Sequence, residues 1–297
     1  MTAPGADSFR TVLAVVAVAL LLVVAGCGGD GTASTTTEPT TTQPTTEPTQ
    51  PPRTTIEGET EPPFSAERLP PGVATDGSVD VSRLAAAHAE ALAGASFALD
   101  LNLTRTVAVN GSTRRVAASQ RTLTDGDGEF LLRFENPQVG IGQTTWGNDS
   151  TAVSRVTAQG STSYRPADPA LVRENLSARP FVDQFLAAGA YSVAVAGEDR
   201  VLLTADAPRT DAADRIGGSV SAVDAYEGRA VVDRQGRIRH LSVNADVSLA
   251  NGGSASLDVS IGLSGLGSTE VDRPDWVEKA LRRTDGRLAA STERRNR

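Results

Sequence analysis

From Phe97 to Val109 the chain reads FALDLNLTRTVAV, with apolar side chains at 97, 99, 101, 103, 107 and 109 and Ala, Asp, Asn, Thr and Thr at 98, 100, 102, 104 and 106. A period of two gives the segment one apolar face and one wet face, the pattern of a strand in an antiparallel sheet covered on one side. The pattern returns near the other end. LSVNADVSL (241–249) and ASLDVSIGL (255–263) both alternate, with the hairpin residues Asn251-Gly252-Gly253 between them. AVVDRQGRIRHLSV has a turn at Arg234-Gln235-Gly236 between two strand-like runs, and GEFLLRFE, YSVAVAG and RVLLTAD supply further strands.

Helical segments interrupt these strands. After a cap at Ser78 or Asp80, the residues Val81, Leu84, His88 and Leu92 form one stripe that Gly94 ends. A second helical region starts with Asp168-Pro169, a cap followed by proline in the first turn, and continues to PFVDQFLAAG, where Phe181 and Phe185 share a face. A last helix runs from Pro274 through Trp276, Val277, Ala280 and Leu281. Strands dominate and the helices are segregated in sequence, so the expected class is α+β.

Ahead of this body lies an unbroken apolar run, Val12 to Ala25, preceded by Arg10. As a helix it would reach only about 21 Å, short of the roughly 30 Å hydrocarbon core of a bilayer. A charged start, a short apolar centre and small residues at the end form the pattern of an export signal. The end, Val24-Ala25-Gly26-Cys27, holds the only cysteine and resembles the lipobox of prokaryotic lipoproteins. That resemblance implies cleavage before Cys27 and lipidation of Cys27 itself. The alternative is an uncleaved signal anchor with an inert cysteine.

Between Gly31 and Pro63, 13 of 33 residues are Thr and 7 are Pro, with Ile56 the single large aliphatic side chain. Such a stretch buries too little apolar surface to offset its ordering entropy, and proline biases it toward extended polyproline II. The expected organisation is a signal peptide over 1–26, a disordered Thr/Pro-rich stalk over 27–63, one β-rich globular domain over 64–285 and a disordered basic tail over 286–297.

The formal charge is −8, and the last 25 residues carry eight basic and four acidic side chains, which leaves residues 1–272 at −12. So acidic a body repels phosphate backbones, and nucleic acid is not an expected partner. One lysine against 27 arginines, with that acidity, fits a high-salt host. Four sequons, at Asn102, Asn110, Asn148 and Asn175, are candidates for N-glycosylation of an exported chain.

Little in the sequence speaks for catalysis. His88 sits on the apolar stripe of its helix, as a hydrogen-bonded core histidine would, and His240 sits where the alternation switches phase, as at a bulge or a strand edge. Asp125, Asp127 and Glu129 form a weak candidate for a calcium site, but the two glycines between them equally suit a turn. Two histidines and one cysteine assemble no zinc set, and no P-loop, dinucleotide loop or nucleophile elbow is present. No enzyme activity and no cofactor are expected.

The order of a helix, meandering strands, a central helical insertion and closing hairpins resembles the lipoprotein-carrier fold shared by LolA and the mycobacterial LppX and LprG lipoproteins. That resemblance implies a curved, mostly antiparallel half-barrel with two or three helices on its concave face. A lipobox, a Thr-rich stalk and the lead-in Pro70-Pro71-Gly72-Val73 to the 81–93 helix are similar to a group of uncharacterised lipoproteins from halophilic archaea. The function this implies is a lipid-anchored protein at the extracytoplasmic face of the cell membrane that binds or carries a lipid or other hydrophobic ligand. A non-enzymatic structural or adhesive surface glycoprotein with a closed core is the alternative. Protein partners are not legible.

Overall fold

The computed structural model describes residues 66–283. Cys27, the 27–63 stalk and the 286–297 tail lie outside the described residues. No helix among the described residues is long and apolar enough to cross a membrane.

Eleven strands form one antiparallel sheet: β1 (Ser96–Val109), β2 (Ser112–Asp125), β3 (Phe130–Asn136), β4 (Ile141–Gly147), β5 (Ala152–Ala158), β6 (Ser161–Ala167), β7 (Ser192–Ala196), β8 (Arg200–Ala205), β9 (Val220–Asp233), β10 (Ile238–Leu249) and β11 (Ser254–Ser264). Their spatial order is β6-β5-β4-β3-β2-β1-β11-β10-β9-β8-β7. Two meanders, β1–β6 and β7–β11, are joined side by side where β1 pairs with β11. β6 and β7 are the outermost strands, β7 being met at its far side by the isolated Ser78–Ser192 bridge, and the sheet stays open. The fold class expected from the alternation is the one observed: a curved, open antiparallel sheet with few helices.

Residues paired across an antiparallel sheet share a face, so the register separates the two sides. On the concave side β1 contributes Phe97, Leu99, Leu101 and Leu103, opposite Leu263, Ile261 and Val259 of β11. The row continues through Leu241 and Val243 of β10 to Ala230 and Gly228 of β9. On the other flank it passes Thr124 and Thr122 of β2 to Phe130 and Leu132 of β3.

Two helices stand on this face, α1 (Val81–Leu92) and α3 (Arg179–Ala188), with the short α2 (Pro169–Arg173) and α4 (Ala212–Ile216). Asp80 caps α1, its Oδ1 accepting from the Arg83 N–H at 3.0 Å, and Leu84, Ala85, His88 and Leu92 form the buried stripe. Asp168 caps α2 by accepting from the Ala170 and Leu171 N–H groups. Leu84, Leu186, Leu99, Leu241 and Ile261 are completely enclosed, so the middle of the concave face is filled by side chains.

A further helical stretch, 276–283, labelled α5, packs on the opposite, outer face of the β3–β6 wing. Leu131, Trp146 and Val153 share that outer face by register, and Val277 and Ala280 close over Trp146, Val153 and Tyr164 as a second small core. The last helix expected from the sequence is therefore present, on the side away from α1 and α3.

Turn chemistry fixes the hairpins. Asn110 (φ 49°) and Gly111 (φ 74°) form the two-residue β1–β2 turn, where both central residues take positive φ as a primed turn requires. At the β9–β10 turn the Asp233 carboxylate accepts from the Gln235 and Arg237 N–H groups at 3.1 and 3.0 Å. Gly236 there has φ 83°, and a Cβ would stand 2.8 Å from the Ala87 Cβ of α1. Only glycine lets this turn lie against the helix.

Candidate functional site

Between the C-terminal end of α1, the α2–α3 segment and the β1–β3 end of the sheet lies a cleft of about 720 Å³. Its floor is apolar: Leu92 from α1, Phe97 from β1, Phe130 from β3 and Leu176 from the α2–α3 connection, all buried. Its rim carries Glu129, Arg173, Arg179 and Asp183, residues of both signs. The cleft lies where α1 ends at Leu92 and Gly94 (φ 69°) turns the chain away, with Phe97 and Phe130 beyond the end of the helix.

Arg173 closes one side of the mouth. Its guanidinium donates to the Gly128 carbonyl at 2.5 Å, pairs with Asp149 at 2.6 Å and lies 5.5 Å from the centroid of the Phe130 ring. The residue thus ties α2 to the β2–β3 and β4–β5 turns. Asp149 is largely exposed, so this pair adds little stability and serves to position the three segments.

His88 anchors the helix side of the same region. Its Nε2 donates to the Ser177 carbonyl and its Nδ1 accepts from the Ile238 N–H, both at 3.0 Å, so the imidazole is neutral. Burial holds its pKa down at about 4; the Ser177 bond and the Asp233 charge only partly oppose that shift. His88 is the hydrogen-bonded core histidine that the stripe suggests. His240 is exposed at a register shift between Ile238 and His240 in the β9–β10 pairing, as its phase switch implies.

Beneath α3, the Tyr226 hydroxyl donates to the Phe185 carbonyl and stands 3.3 Å from the Tyr191 hydroxyl. Burial raises both phenol pKa values, that of Tyr191 to about 12. Both tyrosines are therefore uncharged hydrogen-bonding pillars under the helix.

The acidic trio is a turn. Asp125 Oδ1 accepts from the Asp127 and Glu129 N–H groups at 2.9 and 3.0 Å, which shapes the β2–β3 connection beside the cleft. A second concavity of about 760 Å³ lies on the outer side of β9–β11 and gathers Asp206, Asp224, Glu227, Asp246 and Asp258. No group of three or more His, Cys, Asp or Glu side chains among the described residues is arranged to hold a metal ion.

The four sequons are not equivalent. Asn102 is exposed on the outer face of β1, and Asn110 is exposed at the β1–β2 turn. Asn148 is half-buried, its Oδ1 accepting from the Ser150 and Thr151 N–H groups and from the Ser150 hydroxyl. The Asn175 amide nitrogen donates to the Leu171 carbonyl at 2.9 Å, and Ser177 of the same sequon is buried.

The cleft itself was not legible in the sequence, because its floor comes from segments up to about eighty residues apart. Phe97 and Phe130 read as core residues; the early stop of α1 at Gly94 is the one signal that they lie beyond its cover.

No curated protein matches the chain. Among solved structures it is similar to a DUF1329 family protein from Desulfovibrio piger (11% identity, 66% of this chain and 94% of that chain, TM-score 0.25). It is also similar to a domain assigned as an outer membrane lipoprotein-sorting protein from Vibrio parahaemolyticus (8% identity, 64% and 93%, TM-score 0.24). A LolA superfamily protein from Nitrosomonas europaea matches at 11% identity, over 67% and 97%, with a TM-score of 0.24. At such values function has to be argued from the chain's own residues. A family model covers residues 12–280, and by that match the chain belongs to DUF7537, a family of unknown function.

Proposed function

We propose that the chain is a non-enzymatic binding module, tethered through lipidated Cys27 to the extracytoplasmic face of the cell membrane, that takes a hydrophobic ligand of lipid character into the cleft between α1, α2–α3 and the sheet. The observation that carries this reading is the cleft over the apolar floor of Leu92, Phe97, Phe130 and Leu176, at the end of a concave face that side chains otherwise fill. A volume of about 720 Å³ falls within the range of small-molecule sites, and an apolar lining with a few polar rim groups is their usual composition. The lipobox resemblance at Cys27 and the threonine- and proline-rich residues after it supply the tether.

Native mass spectrometry of protein purified from its own host tests the ligand. A co-purifying hydrophobic species is expected, and an Ala89→Trp variant, which fills the cleft wall, should lose it. Repeated recovery of bare protein, together with no displaceable binding of a fluorescent fatty-acid probe, would overturn the reading. The tether is tested separately: Cys27→Ser should release the chain to the medium or leave the precursor uncut, and unchanged detergent partitioning would defeat it.

A second reading, a closed structural or adhesive surface module, is favoured by the complete enclosure of Leu84, Leu99, Leu186, Leu241 and Ile261. It predicts that Ala89→Trp changes nothing in the mass spectrum.

A further inference from the structure

On the outer face of the β3–β6 wing, the only two tryptophans and the only lysine of the chain converge with Tyr164. The Tyr164 and Trp276 rings stack with centroids 6.2 Å apart at an interplanar angle of 27°. Around this pair stand Arg155, 5.3 Å from the Trp276 centroid, Arg283, 5.4 Å from Tyr164, and Lys279, 5.9 Å from Tyr164. β5 supplies Arg155 and α5 supplies Lys279 and Arg283, so tertiary packing, and no run of basic sequence, gathers the three cations.

Among the described residues none of the three forms an ion pair. The nearby Glu278 is already engaged by Arg273 at 2.6 Å, and Arg273 in turn lies over Trp146 at 4.8 Å. Ring faces offset part of the mutual repulsion of such cations while leaving their N–H groups able to bind an anion. Glu270, Asp272 and Asp275 are the other carboxylates on the described segment after β11, and Arg282 adds a further exposed cation. On the outer side of β9–β11, by contrast, five carboxylates and one arginine, Arg115, line a groove.

We infer that the Arg155–Lys279–Arg283 cluster docks this wing on a membrane surface by binding anionic lipid headgroups. Trp276 is half-buried beside the cations, and an indole flanked by basic side chains suits the headgroup level of a bilayer. The body is acidic overall, so attraction to an anionic surface requires a local concentration of cations such as this one. Docking would fix which way the domain faces. The inference rests on the tethered reading for its biological setting, but its test uses a chain that carries no lipid.

The test is co-sedimentation of the chain from residue 27 onward, carrying Cys27→Ser, with vesicles of phosphatidylglycerol and phosphatidylcholine in equal parts or of phosphatidylcholine alone, in 0.1 M salt. Binding to the anionic vesicles only is expected, falling as salt is raised. Each basic group near an anionic surface contributes about fivefold, so Arg155→Gln, Lys279→Gln and Arg283→Gln together should weaken binding about 100-fold. Two controls distinguish the face from net charge: Arg68→Gln, Arg215→Gln and Arg229→Gln together, and Gln at Arg287, Arg294, Arg295 and Arg297 of the tail, should each retain most of the binding. An unchanged melting temperature shows that the cluster variant is folded. Equal binding to both vesicle types, no binding, or loss on the control changes with none on the cluster changes would overturn the inference. Because a chain carrying Cys27→Ser cannot be lipidated, none of these failures would count against the anchor, which the release experiment decides alone.

Discussion

His88 should make this protein lose stability in mild acid by an amount that one side chain accounts for. The folded state holds the imidazole near pKa 4, against 6.5 for a free histidine. Between those values the unfolded chain takes up the proton and the folded chain does not, so the unfolded state binds more protons and stability rises with pH. The contribution is complete above pH 6.5, falls as the pH drops toward 4, and is constant below. At pH 4.5 the loss relative to pH 7.5 is about 2.5 kcal/mol, from 1.36 kcal/mol per pKa unit. Carboxylates also titrate in this window, so the measurement is a difference. Urea unfolding of the wild type and of His88→Gln, each at pH 7.5 and 4.5, should show a wild-type pH dependence larger by about that amount. The glutamine amide offers an uncharged donor and acceptor at a position where burial, not a partner charge, sets the pKa. Equal pH dependence in the two proteins would refute the assignment, because it would mean that the buried imidazole is protonated as readily as a free one. A companion His88→Leu variant leaves the Ser177 carbonyl and the Ile238 N–H buried without partners and should cost on the order of 2–6 kcal/mol at neutral pH.

Three further outcomes are expected. Gly228→Ala drives a methyl group into the Tyr191 hydroxyl and should lower stability by about 1–3 kcal/mol, read as a lower urea midpoint with unchanged slope. Tyr226→Phe leaves the Phe185 carbonyl under α3 without its donor and should cost about 1–3 kcal/mol, read by thermal melting. Glycopeptide mapping of the chain from its own host should find Asn102 and Asn110 more fully occupied than Asn175, whose amide nitrogen is engaged by Leu171; the reverse order would show that modification precedes folding.

How much of this was legible in the sequence differs by element, for physical reasons. β1, β10 and β11 have one covered face and one wet face, so alternation exposes them directly. The β4–β6 strands, IGQTTWG, AVSRVTA and STSYRPA, carry no such signature. β4 and β5 are covered on both sides: Thr145 and Ser154 face inward and hydrogen-bond each other at 2.7 Å, while Trp146 and Val153 face α5. Once both faces are buried the apolar–polar rhythm disappears. Arg105 shows a related limit, because it sits on the concave side, buried opposite Val116 and Leu257, where the alternation calls for an apolar residue. The cap at Asp168, the choice between Ser78 and Asp80 for α1, the place of His88 on an apolar stripe and the phase switch at His240 were readable, since each depends on neighbours within a few residues, whereas the partners of His88, Ser177 and Ile238, were not. The cleft and the cation cluster were not, since each depends on which distant segments the sheet brings together.

The pairing of β1 with β11 has a kinetic consequence. Every other neighbouring pair in the sheet joins strands consecutive in sequence. Each half can therefore zip up hairpin by hairpin, whereas uniting them closes a loop of well over a hundred residues. Compared with a ten-residue loop, that closure costs on the order of 2 kcal/mol more in chain entropy. The seam between the halves should form last and set the rate of refolding. Yet its strands, once joined, lie in the middle of the sheet, so the slowest amides to assemble should also be among the slowest to exchange.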